Sequence, residues 1–194
     1  KINNADIASS PIKKFLFIIK KKLNINKKIL IHNPVLPPNS YKYKIKKKLE
    51  KKFNFISINR LDHNKNVEHI VKAFADGFLG KEAKLKILGD GPLLKKIIRL
   101  SKDLNIDNQI VFLNNLSRNN MLKELERSDC ILCSSFHETF GVVLLEAAAR
   151  GLSIISTNAE GPLDIVNKIN GLIVPHSNLK LYTKAMLKVY NKKN

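Results

Sequence analysis

From Phe53 to the end of the chain, short runs of β-branched and aromatic residues alternate with longer stretches whose apolar positions recur every three to four residues. The two periods separate strands from helices, because alternate residues of a strand share a sheet face while helix residues three and four apart share a side. Strands are predicted at Phe55–Ile58, Lys84–Leu88, Gln109–Leu113, Cys130–Ser134 and Ser153–Ser156, with a shorter one at Leu172–Val174. Helices are predicted at Val67–Phe78, Leu93–Leu104, Asn119–Glu126, Val142–Arg150, Leu163–Val166 and near Leu179–Tyr190. Parallel strands need a connection long enough to cross back over the sheet, so this order predicts an α/β fold: a Rossmann-like, doubly wound parallel sheet covered by crossover helices.

The punctuation agrees. Pro92 after Gly91 suits a first helical position, Gly151 suits the residue just past a helix, and Ser117 suits a helix cap. Residues before Phe53 read differently: a polar opening, one apolar stretch at Phe15–Ile19, the strand-like Lys28–Ile31, then Pro34, Pro37, Pro38 and a lysine run. The expected organisation is residues 1–33 as the remnant of a preceding domain, 34–52 as a linker and 53–194 as the α/β domain. The chain opens on Lys1 rather than Met, so its true start is expected upstream, and no secretory signal pattern is visible.

Composition narrows the classes. With 194 residues and 44% apolar content the chain can bury a core, and no apolar run approaches the roughly 20 residues that span a bilayer. The formal charge of +19, from 35 Lys and Arg against 16 Asp and Glu, admits a nucleic acid, an anionic membrane surface or an acidic small molecule as partner. Lys, Ile and Asn are abundant together throughout, as an AT-rich coding sequence produces without selection for binding. The aromatics are not interleaved with the lysines, and no zinc-finger, RRM or basic-zipper pattern is present, which disfavours nucleic acid. Cys130 and Cys133, three apart on a strand, point to opposite faces, and no second Cys or His pair stands at ligand spacing. They read as core residues in a reducing compartment.

In open α/β sheets ligands bind beyond the carboxyl ends of the strands. Four loops there carry candidate chemistry: Asn59 to Lys65, Gly89 to Pro92, Phe136 to Gly141 and Asn158 to Pro162. Together they offer two cations, Arg60 and Lys65, backbone N–H groups, and carboxylates that accept from vicinal hydroxyls. That set suits a diphosphate joined to a sugar. The Gly89-Asp90-Gly91 turn lacks a third glycine and is not a dinucleotide fingerprint. Glu146 lies in a helix otherwise made of Val, Leu and Ala, where a buried carboxylate needs a partner, and a ligand is the expected one. His137 reads as a loop histidine, and Glu160 as a cap for the helix near Pro162.

The stretch Glu138-Thr139-Phe140-Gly141-Val142-Val143-Leu144-Leu145-Glu146-Ala147-Ala148-Ala149-Arg150-Gly151 is more specific. Its two glutamates, seven residues between them, resemble the signature of retaining glycosyltransferases with the two-domain GT-B fold. Asn59-Arg60-Leu61 with Lys65, and Leu88-Gly89-Asp90-Gly91-Pro92, resemble two further motifs of that family in the same order, over about Phe53 to Lys180. Ile29-Leu30-Ile31-His32-Asn33-Pro34 is similar to the segment that leaves the family's N-terminal domain. Thr139 stands where many relatives have Gly, a difference of no consequence because others carry Thr or Ser.

The resemblance implies that the chain is the C-terminal half of a GT-B fold, binding a UDP- or GDP-sugar donor as substrate, with no cofactor and no metal. It further implies that Arg60 and Lys65 clamp the diphosphate, Glu138 accepts from donor-sugar hydroxyls, and Glu146 holds the ribose. Backbone groups of Thr139, Phe140, Gly141 and Val142 would add donors to phosphate, with Gly89, Asp90, Gly91 and the Asn114–Leu116 stretch shaping the nucleotide pocket. The acceptor, a glycan or lipid-linked glycan, would bind a missing N-terminal domain, without which the fragment is expected to be inactive. Localisation is expected in the cytoplasm, with Lys13 to Lys28 resting on an anionic leaflet. The alternatives are a non-catalytic nucleotide- or sugar-binding module and a basic nucleic-acid-binding domain.

Overall fold

A computed structural model describes residues 7–10, 27–30, 52–114 and 116–193. Two short strands, β1 (Ile7–Ser10) and β2 (Lys27–Leu30), pair in parallel with Ile7 opposite Lys27. The expected strand at Lys28–Ile31 is β2 shifted by one residue, whereas β1 is too short to show a period and was not anticipated. Apart from β2 and Lys52, the linker and the basic stretch Lys13 to Lys28 lie outside the described residues.

The α/β domain runs β3 (Phe53–Ile58), α1 (Val67–Phe78), β4 (Ala83–Leu88), α2 (Leu94–Asp103), a 3₁₀ turn (Asp107–Gln109), β5 (Ile110–Leu113), α3 (Arg118–Glu126), β6 (Cys130–Cys133), α4 (Val142–Ala148), β7 (Ser153–Thr157), α5 (Pro162–Ile165), β8 (Gly171–Val174) and α6 (Leu179–Lys193). All strands of the six-stranded sheet are parallel, in the order β5-β4-β3-β6-β7-β8. Two differences from the sequence reading have local causes. Pro92 falls in the turn before α2, where Leu94 N–H already donates to Gly91 O at 3.1 Å. Gln109 belongs to the 3₁₀ turn because its backbone N–H donates to Ile106 O at 2.9 Å, while its side-chain amide donates to Phe78 O, Lys81 O and Ala83 O and so ties down the α1–β4 turn.

Strand alternation divides the core into two layers. Phe55, Leu85, Ile87, Cys130, Leu132 and Ile155 pack on one face against Ile70, Phe74 and Phe78 of α1 and Tyr182 and Met186 of α6. Ile56, Ile131, Cys133 and Ile154 pack on the other against Leu125 of α3 and Leu144 and Ala147 of α4. Cys130 and Cys133 thus lie in opposite layers as buried thiols, as the alternation requires. Each large side chain so buried contributes about 1.5–3 kcal/mol. The second face also holds Lys86, which would be costly there as a lone charge; Glu124 of α3 pairs with its ammonium at 3.0 Å.

On the first face α6 is latched to the sheet by Tyr182, whose buried hydroxyl donates to Cys133 O at 3.0 Å and Ile155 O at 3.4 Å. Complete burial pushes its pKa well above the usual tyrosine range. Tyr182 and His69 of α1 form a T-shaped pair, ring centroids 5.2 Å apart, and His69 Nε2 is buried without a hydrogen-bond partner among the described residues. Burial, and secondarily Lys72, lower the His69 pKa from its ordinary 6.5. The unfolded chain therefore binds the extra proton first as pH falls, so stability should decline below about pH 6.5 and level off once the folded pKa is passed. Urea denaturation of the parent and of His69→Leu, between about pH 5 and 8, checks this: the parent should show the decline and the variant should lack that component.

Candidate active site

The strand order reverses between β3 and β6, neighbours in the sheet whose following chains lead to opposite sides. The loop after β3 carries Arg60 and Lys65, and the loop after β6 carries Glu138. These two loops are bound to each other by short polar contacts. Asn64 Nδ2 donates to His137 O at 2.8 Å and its Oδ1 accepts from His137 N–H at 3.0 Å, while Phe136 N–H donates to Asn64 O at 2.9 Å. Ser134 Oγ donates towards Lys65 O and Asn66 O, at 2.8 and 2.9 Å, where α1 begins. The result brings Lys65 Nζ to 2.6 Å from Glu138 Oε2, with both side chains about four-fifths buried.

Asp62 supports the same loop by accepting from Lys65 N–H at 3.1 Å, and its other carboxylate oxygen lies 3.7 Å from Arg60 Nε. Arg60 differs from Lys65 in exposure: its side chain is 76% accessible, so the guanidinium stands in solvent. Leu61 between them is wholly buried and anchors the loop. Its N–H donates to Asp90 O at 2.8 Å and its carbonyl accepts from Leu93 N–H at 3.0 Å, stitching the β3 loop to the Gly89-Asp90-Gly91 turn after β4. Glycine is required on that turn. At Gly89, φ is +141°, and a Cβ would lie 1.8 Å from Asn59 O; at Gly91 it would lie 2.4 Å from Leu61 O. Asp90 itself is exposed, with Oδ1 accepting from Gly91 N–H at 2.7 Å. Of the expected Asn114–Leu116 stretch, Asn115 lies outside the described residues.

Beyond Glu138, Thr139 is exposed, Phe140 is buried, and Gly141 turns into α4 with φ +85°. Phe140 N–H points back to Glu138 Oε1 at 3.5 Å, and Val142 opens the helix. The fourth loop, after β7, closes on this one through Gly161 N–H, which donates to Glu138 O at 2.7 Å. Glu160 does not cap α5: the cap residue is Gly161, with no side-chain cap bond, and Glu160 Oε1 instead lies 3.7 Å from His137 Nδ1, itself 81% exposed. Ser117 does cap α3, accepting from Asn120 N–H.

Glu146 is buried in α4 as its apolar surroundings require, but its partner is a protein side chain. Arg118, the first residue of α3, donates Nη2 to Glu146 Oε1, and its side chain is 56% accessible while that of Glu146 is 3%. Sequence reading missed both Arg118 and Asn64. Their partners lie 28 and 73 residues away, so no local spacing signals them. Among the described residues, no three His, Cys, Asp or Glu side chains gather as a metal site would need.

The family model described as Glycosyl transferases group 1 matches residues 41–194. Among curated proteins the chain is similar to the N-acetyl-alpha-D-glucosaminyl L-malate synthase of Bacillus anthracis, 37% identical over 111 residues, which are 57% of this chain and 29% of that protein. Its fold matches the apo lipopolysaccharide outer core galactosyltransferase WaaB with a TM-score of 0.81 at 21% identity, covering 97% of this chain and 54% of that one. It also matches Anabaena Alr3699/HepE, solved with UDP and glucose, with a TM-score of 0.78 at 17% identity over 98% of this chain and 54% of that one. The chain therefore spans about half of each structure and under a third of the curated relative. With the Rossmann-like half of a GT-B fold and a family match over most of its length, this chain belongs to the group 1 glycosyl transferases.

Proposed function

We propose that this chain is the donor-binding half of a retaining glycosyltransferase that moves a hexose or related sugar from a UDP- or GDP-sugar to a glycan or lipid-linked acceptor in cell-surface polysaccharide or glycoconjugate synthesis. The observation that carries this reading is the Lys65–Glu138 pair at the switch point, a cation and a carboxylate held 2.6 Å apart by two bound loops. A nucleotide sugar places its diphosphate beside its sugar hydroxyls, so it needs a cation and an acceptor at such close range. The solved complex of Alr3699/HepE with UDP and glucose supports the donor class.

In the transfer, the bond from the anomeric carbon to the diphosphate oxygen breaks, a bond to the acceptor hydroxyl oxygen forms, and the hydroxyl proton is released with the nucleoside diphosphate. Negative charge grows on the departing oxygen. Lys65, already fixed by Glu138, and Arg60, free to swing in from solvent, oppose that growth without a metal. Glu138 accepts from sugar hydroxyls and sets the anomeric carbon beneath the diphosphate. Glu146 accepts from the ribose, and the Gly89-Asp90-Gly91 turn brings bare backbone close to the nucleotide. Retention of configuration is supported by the resemblance of the Glu138–Glu146 stretch. Turnover needs the acceptor-binding half, so this chain alone binds donor without transferring it.

Among the described residues no helix is long and apolar enough to cross a membrane. The enzyme acts in the cytoplasm, at the inner face of the membrane where a lipid-linked acceptor would be met, with Lys13 to Lys28 as the peripheral contact. Flotation with vesicles should then show preference for anionic over neutral lipid, and equal flotation would remove the membrane contact.

Calorimetric titration with UDP, GDP and ADP tests the donor site. One diphosphate should bind, and Lys65→Ala and Glu146→Ala should each weaken it at least about tenfold; absence of binding by all three would count against the site. Asn64→Ala removes both side-chain bonds to His137. It should cost about 0.5–1.5 kcal/mol of stability and speed amide exchange over residues 136–141, whereas unchanged exchange would show that Asn64 does not order the loop.

A further inference from the structure

Arg118 has no place in the roles set out above, yet it holds a deeply buried carboxylate of the candidate site. Glu146 is 2% accessible and surrounded on α4 by Val143, Leu144, Leu145 and Ala147. A carboxylate in such surroundings is retained at a cost unless a charge-matched donor meets it. Arg118 meets Oε1 through Nη2, from the N-terminus of the neighbouring helix α3, and more than half of its side chain stays open to solvent. The pair therefore sits at a boundary, with the carboxylate inside and the guanidinium at the surface, at the end of the domain where the strand-to-helix loops gather.

We propose that Arg118 is a positioning residue for donor recognition: it fixes the Glu146 carboxylate in one orientation, with Oε1 occupied and Oε2 left to accept from the ribose hydroxyls of the nucleotide. The proposal rests on the donor-site reading of Glu146. A carboxylate offers about four acceptor positions on its two oxygens, so one guanidinium bond does not exhaust it. A planar guanidinium is also more rigidly pre-organised than an ammonium, so it restricts rotation about the terminal carboxylate bond. Without Arg118 the carboxylate keeps its burial but loses its orientation, and ribose hydroxyls meet an acceptor that must first be ordered. Arg118 thus acts on discrimination between nucleotides that have and lack those hydroxyls, rather than on the hold of the diphosphate by Lys65 and Arg60.

The test compares UDP with 2′,3′-dideoxy-UDP, and GDP with 2′,3′-dideoxy-GDP, by calorimetric titration of the parent chain, Arg118→Met and Arg118→Lys, with thermal unfolding of each. The parent should prefer the hydroxylated nucleotide by about ten- to a hundredfold, since hydrogen bonds to a charged acceptor are at stake. In Arg118→Met that preference should shrink to under about threefold, while affinity for the dideoxy nucleotide changes little, and Arg118→Lys should restore part of it. An undiminished preference in Arg118→Met, or in Arg118→Gln if the methionine variant does not fold, would show that the residue serves only packing and charge balance, leaving the donor site intact. Failure of the parent to bind either hydroxylated nucleotide would overturn the donor-site reading and this role together. Binding by the parent without any preference would remove the ribose contact of Glu146, and with it the role of Arg118.

Discussion

A parallel sheet wound in both directions from its central strand cannot return every connection to the same side, and the candidate site depends on that constraint. β3 sends its chain over one face and its neighbour β6 sends its chain over the other, so their carboxyl ends open a crevice between diverging segments. A crevice alone would leave two mobile loops. Here Asn64 and Ser134 join them at the backbone, and Lys65 and Glu138 meet as a consequence.

The loops gain their precision from the rigid elements beneath them. Leu61 is buried as firmly as a core residue, and both its N–H and its carbonyl are spent on the neighbouring Gly89–Leu93 turn. That turn must pass so close to the β3 loop that a side chain at Gly89 would collide with Asn59 O. Below, aromatic packing of Phe55 with Phe74 and Phe78 holds α1 on the sheet, and the Tyr182 hydroxyl holds α6. The side chains of the candidate site are thus placed by backbone bonds that themselves lean on a closely packed core.

Charge is handled in the same spirit. The chain carries a large excess of positive charge, but charges held inside the fold are paired across elements far apart in sequence. Lys86 with Glu124 neutralises a strand position turned into the second layer, and Arg118 with Glu146 neutralises a carboxylate beneath the crevice. Lys65 with Glu138 differs because it joins the loops that follow β3 and β6, where the strand order reverses. Arg60, mostly exposed and only loosely approached by Asp62, is the solvent-facing cation of the set.

The order and type of the elements from Phe53 onward were legible because their periods are local properties: each run of two or of three to four residues declares its own buried side. The opposite facing of Cys130 and Cys133, the cap at Ser117 and the burial of Glu146 followed by the same reasoning. Glycine and acidic motifs near strand ends likewise pointed to the loops of the candidate site. Side-chain partners were another matter. A carboxylate in an apolar helix announces that it needs a counter-charge, but nothing within a few residues says that the counter-charge is Arg118. Nor does the sequence around Asn64 reveal that it bonds the His137 backbone, or that Glu160 turns towards His137 instead of capping α5. The sequence by itself determined the elements and the residues available for chemistry, because local geometry and burial depend on neighbours along the chain. Only the tertiary structure decided which of them meet, because those distances depend on how far-separated loops are brought together by the winding of the sheet.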